Sequence, residues 1–241
     1  MPASNTRHAT FTPSSSFHGS GSSGQGYGTT RVVKKPLNKK LVVVGDGACG
    51  KTSMLTVFTQ NFFPTDYEPT VFENHVETMT VDGQVIDLSL WDTAGQEEFD
   101  RLRSLSYADT HVVMVCFSVE RPESLENVEA KWIPEVHYYC AGVKVILVAL
   151  KCDLRDDPAV QAQLRDRRMG GPVTYEQGLQ VAQRIKAARY LECSAKMGRG
   201  VREAITEAAR VAIAKGKPAS GGGVPAGKGQ GERRRGRCVV L

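Results

Sequence analysis

Residues 45–52 read GDGACGKT. The string fits G-x-x-x-x-G-K-[ST], and few strings this short restrict a fold as tightly. Such a loop turns its backbone N–H groups inward to cradle phosphate oxygens, and its glycines permit that path. Lys51 can reach the β- and γ-phosphates, and the Thr52 hydroxyl can ligate Mg²⁺. The loop needs a strand before it and a helix after it, because the helix directs its positive end at the anion. Both flanks are present. Leu41–Val44 is a short apolar run ahead of the loop, and Lys51–Thr59 has a helical pattern behind it.

The rest of the chain continues that alternation. Val76–Val81 and Gln84–Leu90 flank an Asp82-Gly83 turn, a strong hairpin signal. His111–Ser118, Lys144–Leu150 and Tyr190–Cys193 read as further strands, and Ser124–Tyr139, Tyr175–Ala187 and Val201–Lys215 as helices. Continuously apolar strands separated by helices imply a parallel sheet covered on both faces. The expected fold is therefore α/β, doubly wound, with a mostly parallel six-stranded sheet and one antiparallel edge strand. Its ligand belongs off the carboxyl ends of the strands.

Three more strand ends carry chemistry. In 92-DTAGQE-97, Asp92 takes the position that helps hold Mg²⁺. Gly95 can offer a backbone N–H to the γ-phosphate, and Gln96 can orient an attacking water. At 151-KCD-153 the Asp153 carboxylate can accept two hydrogen bonds from guanine; adenine has no donor at N1 and would leave an acceptor unpaired. The Lys151 stem can pack on the purine face. At 194-SAK-196 a backbone N–H can meet guanine O6. K-x-D or S-A-K alone is weak; four elements in order, each after a strand, are not.

Charge separates the chain into three parts. Residues 1–36 carry +4 and residues 215–241 carry +6, so with a total of +5 the middle is 5 − 4 − 6 = −5. The acidic middle argues against a nucleic-acid-binding domain. Residues 1–36 are rich in Ser, Thr and Gly and have no Leu or Ile, so they read as a disordered extension. They are acid-free like a transit peptide but hold two Arg and no amphipathic apolar face. The start shows no apolar signal-peptide core, and its second residue is Pro2 rather than the glycine that myristoylation requires. The longest apolar runs, Val112–Phe117 and Val145–Leu150, are too short to cross a membrane. Six dispersed cysteines show no metal-ligand spacing and suit a reducing compartment. One domain is left, residues 37–214, followed by a basic tail, 215–241. That tail ends Cys238-Val239-Val240-Leu241, a C-a-a-X string whose final Leu favours a geranylgeranyl group on Cys238. One lipid chain gives only marginal binding, and Arg233, Arg234, Arg235 and Arg237 can add attraction to anionic lipids.

The order GDGACGKT, YEPTVFEN, WDTAGQEEFDRLR, KCD, YLECSAK and CVVL resembles the Rho family of small GTPases, across 37–214 and the last four residues. The most specific marks are 67-YEPTVFEN-74, the KWIPEV of 131–136 and an extra helical segment after 153-DLRDDP-158. Ser104-Leu105-Ser106-Tyr107 with Leu150-Lys151-Cys152-Asp153 is most similar to the third fungal Rho class, linked to polarised growth, actin organisation and secretion. The resemblance implies nucleotide contacts from Gly45, Asp46, Gly47, Ala48, Cys49, Gly50, Lys51, Thr52 and Ser53, and from Leu154, Ser194, Ala195 and Lys196. It implies that Phe63 lies edge-on to the base, where a core Phe is the plainer reading, and that Tyr67 covers the phosphates. Thr70 would close over Mg²⁺ and the γ-phosphate within a first switch, 65–75; a second switch would span 92–107. The effector region would be Asp66, Tyr67, Glu68, Pro69, Thr70, Val71, Phe72, Glu73 and Asn74. Implied partners are an exchange factor, a GTPase-activating protein, a GDP-dissociation inhibitor and effectors of the GTP state. The implied place is the cytoplasmic face of the plasma membrane, with a cytosolic pool.

Two details set this chain apart. Most small GTPases have Asn or Thr where this one has Leu150; Leu cannot hydrogen-bond, so one brace between base site and phosphate loop is lost. In the insert segment Asp157 is a good N-cap, Pro158 suits the first helical position, and Gly170-Gly171-Pro172 should stop the helix. Its polar face, Gln161 to Arg168, reads as solvated surface. A P-loop ATPase or small-molecule kinase would lack the K-x-D and S-A-K elements, and a non-hydrolysing GTP-binding scaffold would not need Gln96.

Overall fold

Along β1 (Leu37–Gly45), Leu41 and Val43 pack into one apolar cluster and Val42 and Val44 into another, and all four are fully buried. Successive strand residues point to opposite faces, so this strand needs cover on both sides. The computed structural model supplies it. It describes residues 35–66, 69–70 and 72–214. The remaining strands are β2 (Phe72–Val81), β3 (Gln84–Thr93), β4 (Val112–Ser118), β5 (Lys144–Leu150) and β6 (Arg189–Glu192). They form one sheet in the order β2-β3-β1-β4-β5-β6. Every pairing is parallel except β2 with β3, as the alternating pattern predicts. Asp82 (φ 49°) and Gly83 (φ 75°) both turn left-handed between those two strands, the geometry that a two-residue hairpin requires.

Helices α1 (Lys51–Gln60) and α7 (Val201–Ile213) cover one face through Met54, Leu55, Ile205 and Ala208. The other face lies under a helical rod over 122–139 and under α6 (Tyr175–Arg184), through Leu125, Trp132, Val136 and Val181. Helix α2 (Asp100–Leu105) follows a single 3₁₀ turn, Glu97–Phe99.

The rod is longer and less uniform than its sequence pattern. It begins at Pro122, a residue pre-set for a first helical turn, and runs as α3 (Pro122–Asn127), a π-helical stretch Val128–Trp132, and α4 (Ile133–Tyr139). Pro134 explains the wide turn. It has no N–H to give to the carbonyl four residues back, and its ring would collide there.

The insert helix α5 (Pro158–Asp166) starts as expected, with the Asp157 carboxylate accepting from Ala159 N at 2.8 Å and Val160 N at 3.3 Å. Its end differs. It stops before the glycines, because Arg168 (φ 59°) takes the left-handed position and lets Met169 N reach Leu164 O at 2.9 Å. Its polar residues are half-buried or exposed. β2 also begins earlier than the sequence pattern, at Phe72, so the end of the expected first switch is already strand. The expectations for 1–34, Tyr67, Glu68, Val71 and 215–241 with Cys238 fall outside the described residues. Among the described residues, no helix is long and apolar enough to cross a membrane.

One glycine shows how closely α6 meets the sheet. A Cβ on Gly178 would stand 2.0 Å from the Tyr190 hydroxyl, which is buried and donates to Glu192 Oε1 at 2.7 Å. Gly178→Ala gains about 1 kcal/mol of helix propensity and loses it to overpacking of about 1–3 kcal/mol. The expected net outcome in a thermal melt is a midpoint lowered by up to roughly 8 °C.

Candidate functional site

The phosphate loop is folded by close backbone approach. Gly45 ends β1 with φ 144°, and a Cβ there would lie 2.2 Å from the Cys116 carbonyl oxygen on β4. Ala48 (φ 60°) and Gly50 (φ 108°) give the loop its left-handed turns before Lys51 opens α1. Lys51 is buried, and its ammonium donates to the carbonyls of Gly45 at 2.8 Å and Asp46 at 2.9 Å. A flexible cation is thereby parked across the loop.

Beside it lies an oxygen cluster. Thr52 Oγ1 donates to Asp92 Oδ2 at 2.5 Å and also meets Thr70 Oγ1. Asp92 is 1% exposed and its other oxygen, Oδ1, has no hydrogen-bond partner among the described residues. Burial pushes the Asp92 carboxyl up from 3.8 to about 6, against the Thr52 hydrogen bond and the Lys51 charge. An orphaned buried carboxylate oxygen next to two hydroxyls is the donor set of a hard divalent cation. Among the described residues no cluster of His, Cys, Asp and Glu offers another such place.

Part of the predicted set lines one cleft of about 560 Å³; Gly45, Asp46, Cys49, Asp92, Asp153, Leu154 and residues 194–196 are not in its lining. Its walls are the phosphate loop with Lys51, Thr52 and Ser53, residues 62–66 with Pro69 and Thr70, residues 93–96, and Lys151. Phe63 belongs to this wall and is 37% exposed, so the core reading is set aside. Gln96 is half-buried, and its side chain sits 3.4 Å from where a Cβ on Gly47 would be. Gly95 lies closer still: its Cβ would stand 2.2 Å from Gly47 N and 2.5 Å from Gly45 O.

Of the base-side residues only Lys151 belongs to the cleft wall, and the others are joined to it and to each other. Lys151 adopts φ 56° at the end of β5, and a single 3₁₀ turn, Cys152–Asp156, carries Asp153 and Leu154. Cys152 N donates to Cys193 O at 3.2 Å, which fixes this turn against the 194–196 turn. Ser194 is buried and accepts from Met197 N at 3.1 Å; Ala195 is half-buried and Lys196 exposed. Of the residues expected to form an effector region, Asp66, Pro69, Phe72, Glu73 and Asn74 are exposed and Thr70 is half-buried. Leu150 is buried, with its side chain 3.7 Å from a Cβ position on Gly50: packing stands where a hydrogen bond would be.

Three features lie outside the motif reading. The Asp46 carboxylate faces away from the cleft and accepts from Trp132 Nε1 at 2.7 Å and Asn127 Nδ2 at 2.8 Å. Arg103 is buried and forms a fork with Glu135, Nε to Oε1 at 2.7 Å and Nη2 to Oε2 at 2.9 Å, while Nη1 donates to Ala94 O at 2.8 Å. Burial opposes its charge, but Glu135 and Asp100 outweigh burial and hold its pKa above the ordinary arginine value. The third feature is Arg121, whose Nη1 donates to Gly47 O at 2.9 Å. Only the KWIPEV string hinted at the first two, since it contains Trp132 and Glu135. Cys49, inside the loop, is fully buried, and burial raises its thiol pKa.

Comparison with known proteins agrees with this geometry. Residues 40–214 match the Ras family. The chain is 60% identical over 181 residues to GTP-binding protein rho3 of Schizosaccharomyces pombe, covering 75% of this chain and 86% of that one. It is 56% identical over 198 residues to GTP-binding protein RHO3 of Eremothecium gossypii, covering 77% and 88%. It is 52% identical over 209 residues to GTP-binding protein RHO1 of Saccharomyces cerevisiae, covering 87% and 98%.

Gly95 provides a steric test of the site. In Gly95→Ala the 93–97 segment has to retreat by about 1 Å, from 2.2 Å toward ordinary contact beyond 3.4 Å, because the opposing atoms are backbone. Amide hydrogen exchange over 94–99 with a bound GTP analogue should rise to the level of the GDP form, while the protein stays folded.

Proposed function

We propose, from the premise that this chain belongs to the Ras family of small GTPases and to its Rho branch, that the cleft holds GTP and GDP in turn and that hydrolysis separates two signalling states. The phosphates take the Gly45–Thr52 loop, and the base takes the turns at 151–154 and 194–196. The arrangement that carries this reading is the convergence of Gly47, Gly95 and Gln96 at one end of the cleft. A γ-phosphate there meets the backbone N–H of Gly95, the ammonium of Lys51 once it leaves its carbonyls, and the amide of Gln96. Thr52, Thr70 and Asp92 would hold Mg²⁺, which would supply positive charge to offset that of the phosphates.

The chemistry asked of the protein is positioning. Gln96 orients the attacking water, and the phosphate loop holds the transferring group in line. Thr70 and Gly95 sit on separate segments, 65–75 and 92–107. Contacts to the γ-phosphate order both, and its loss releases them. Effectors that read the ordered pair bind the GTP form by differential affinity. Exchange factors, GTPase-activating proteins and a GDP-dissociation inhibitor are the regulators that such a cycle needs. Control of polarised growth, actin organisation and secretion is the output in this reading. The prenyl group on Cys238 and the arginines before it complete it, attaching the GTPase to anionic lipids on the cytoplasmic side of the plasma membrane, with a cytosolic pool.

Intrinsic hydrolysis should be slow. Among the described residues no arginine lines the cleft, and an arginine supplied by a partner adds roughly 10³–10⁵ in rate. Gln96→Leu should therefore stay in the GTP form even with an activating protein present. Single-turnover GTP hydrolysis checks this, and a wild-type rate in the variant would remove Gln96 from its role.

The cation site has its own pH signature. Without metal, the unfolded chain releases the Asp92 proton near its ordinary 3.8 and the folded chain near 6, so stability falls as pH rises through that window. A cation binds only the ionised form, so its affinity weakens by about tenfold per unit below the folded pKa. Melts of the GDP complex with Mg²⁺ or with a chelator should diverge at pH 7 and converge toward pH 5. A constant separation would place the cation elsewhere.

A further inference from the structure

Leu150 removes a polar link between the base turn and the phosphate loop, yet the two are still linked. Three consecutive residues after β4 make the connection. Val119 N donates to the Leu150 carbonyl at 3.1 Å. The Glu120 carboxylate pairs with Lys151 Nζ, at the tip of the side chain whose stem would lie on the purine. Arg121 Nη1 donates to Gly47 O at 2.9 Å, on the outer side of the phosphate loop. The same three residues therefore grip the base turn at backbone and side chain and the phosphate loop at a carbonyl.

The gripping segment is itself fixed. Ser124 Oγ donates to Arg121 O at 2.6 Å and accepts from Ser118 N at 3.0 Å, and Arg121 N donates to Ser118 O at 3.1 Å. Pro122 then starts the rod. These bonds leave the turn little freedom, so a displacement of the base turn is passed to Gly47 rather than absorbed. Both linked positions matter to the ligand. Lys151 is in a left-handed conformation that non-glycine residues hold only when surroundings enforce it, and Gly47 faces Gln96.

We propose that Val119, Glu120 and Arg121 form a brace between the base turn and the phosphate loop, in place of the link that Leu150 cannot make, and that Glu120 and Arg121 are positioning residues that slow nucleotide release. The proposal rests on the cleft being a guanine-nucleotide site. Arg121 is not the transition-state arginine: its described donor is spent on Gly47 O, and it does not line the cleft. Its other side, with Glu120, opens into a second cavity of about 440 Å³ against α5. Truncation there opens no closed void, so the variants keep the fold.

The experiment is release of a fluorescent GDP analogue from the full chain in Mg²⁺. Glu120→Gln and Arg121→Ala should each speed release about two- to fivefold, the worth of one partly exposed hydrogen bond. Association and single-turnover GTP hydrolysis should stay at wild-type values, and Arg121→Lys should recover part of the loss. In a Leu150→Asn background, where a side-chain link is restored, Arg121→Ala should change release by less than about twofold, because the two links are redundant. Unchanged release in both single variants overturns the brace. So does an undiminished Arg121→Ala effect in a folded Leu150→Asn chain. Slower hydrolysis with unchanged release would make Arg121 a catalytic group and overturn its positioning role. A wild-type chain that binds the analogue no better than an adenine counterpart brings down the nucleotide reading itself, a result distinct from all of these.

Discussion

A loop wound so that its amides converge on one point presents other polar groups on its outer surface, and those need external support. Here that support comes from one direction. Asp46 is held by Trp132 and Asn127, Gly47 by Arg121, and Gly45 is pressed onto Cys116. Three of these four contacts belong to the helical rod and its leading turn. The phosphate loop is therefore less an independent motif than the inner lining of a larger rigid body made of β4 and the rod.

Helix α2 leans on the same rod. Arg103 reaches back from α2 to the Ala94 carbonyl and sideways to Glu135, which also accepts from Tyr107 at 2.6 Å. Its guanidinium stacks over Trp132 at 4.9 Å, the residue that holds Asp46. A buried fork of this kind adds little net stability, since desolvation offsets most of the attraction. Its worth is geometric: a planar fork fixes angle as well as distance. The π-helical stretch brings Trp132 and Glu135 into this arrangement next to Pro134, and such stretches are frequent at functional sites.

The sheet and its order of elements were legible because the signals are periodic and local. Burial on both faces writes Val-rich runs, and the Asp82-Gly83 turn writes its own conformation. The cleft residues were legible because their backbone geometry demands glycine or a particular functional group in sequence neighbours. Contacts between distant residues had no such trace. Asp46 reads as a loop residue until Trp132, 86 positions away, is seen to face it. Arg121 reads as a surface charge before a helix. The end of α5 was misplaced for a simpler reason: Arg168 adopts the conformation that the glycines two and three residues later advertise.

The burial of Cys49 has a chemical consequence. A thiol in the first turn before a helix, next to a lysine, is ordinarily placed to ionise and react. In this loop it is sealed beneath the backbone that would hold the phosphates, and burial keeps it protonated despite Lys51. Cys116, Cys140, Cys152 and Cys193 are buried as well. Burial raises the thiol pKa of Cys116, Cys140 and Cys193 as it does that of Cys49, so a reagent that attacks thiolates meets these four in their protonated form.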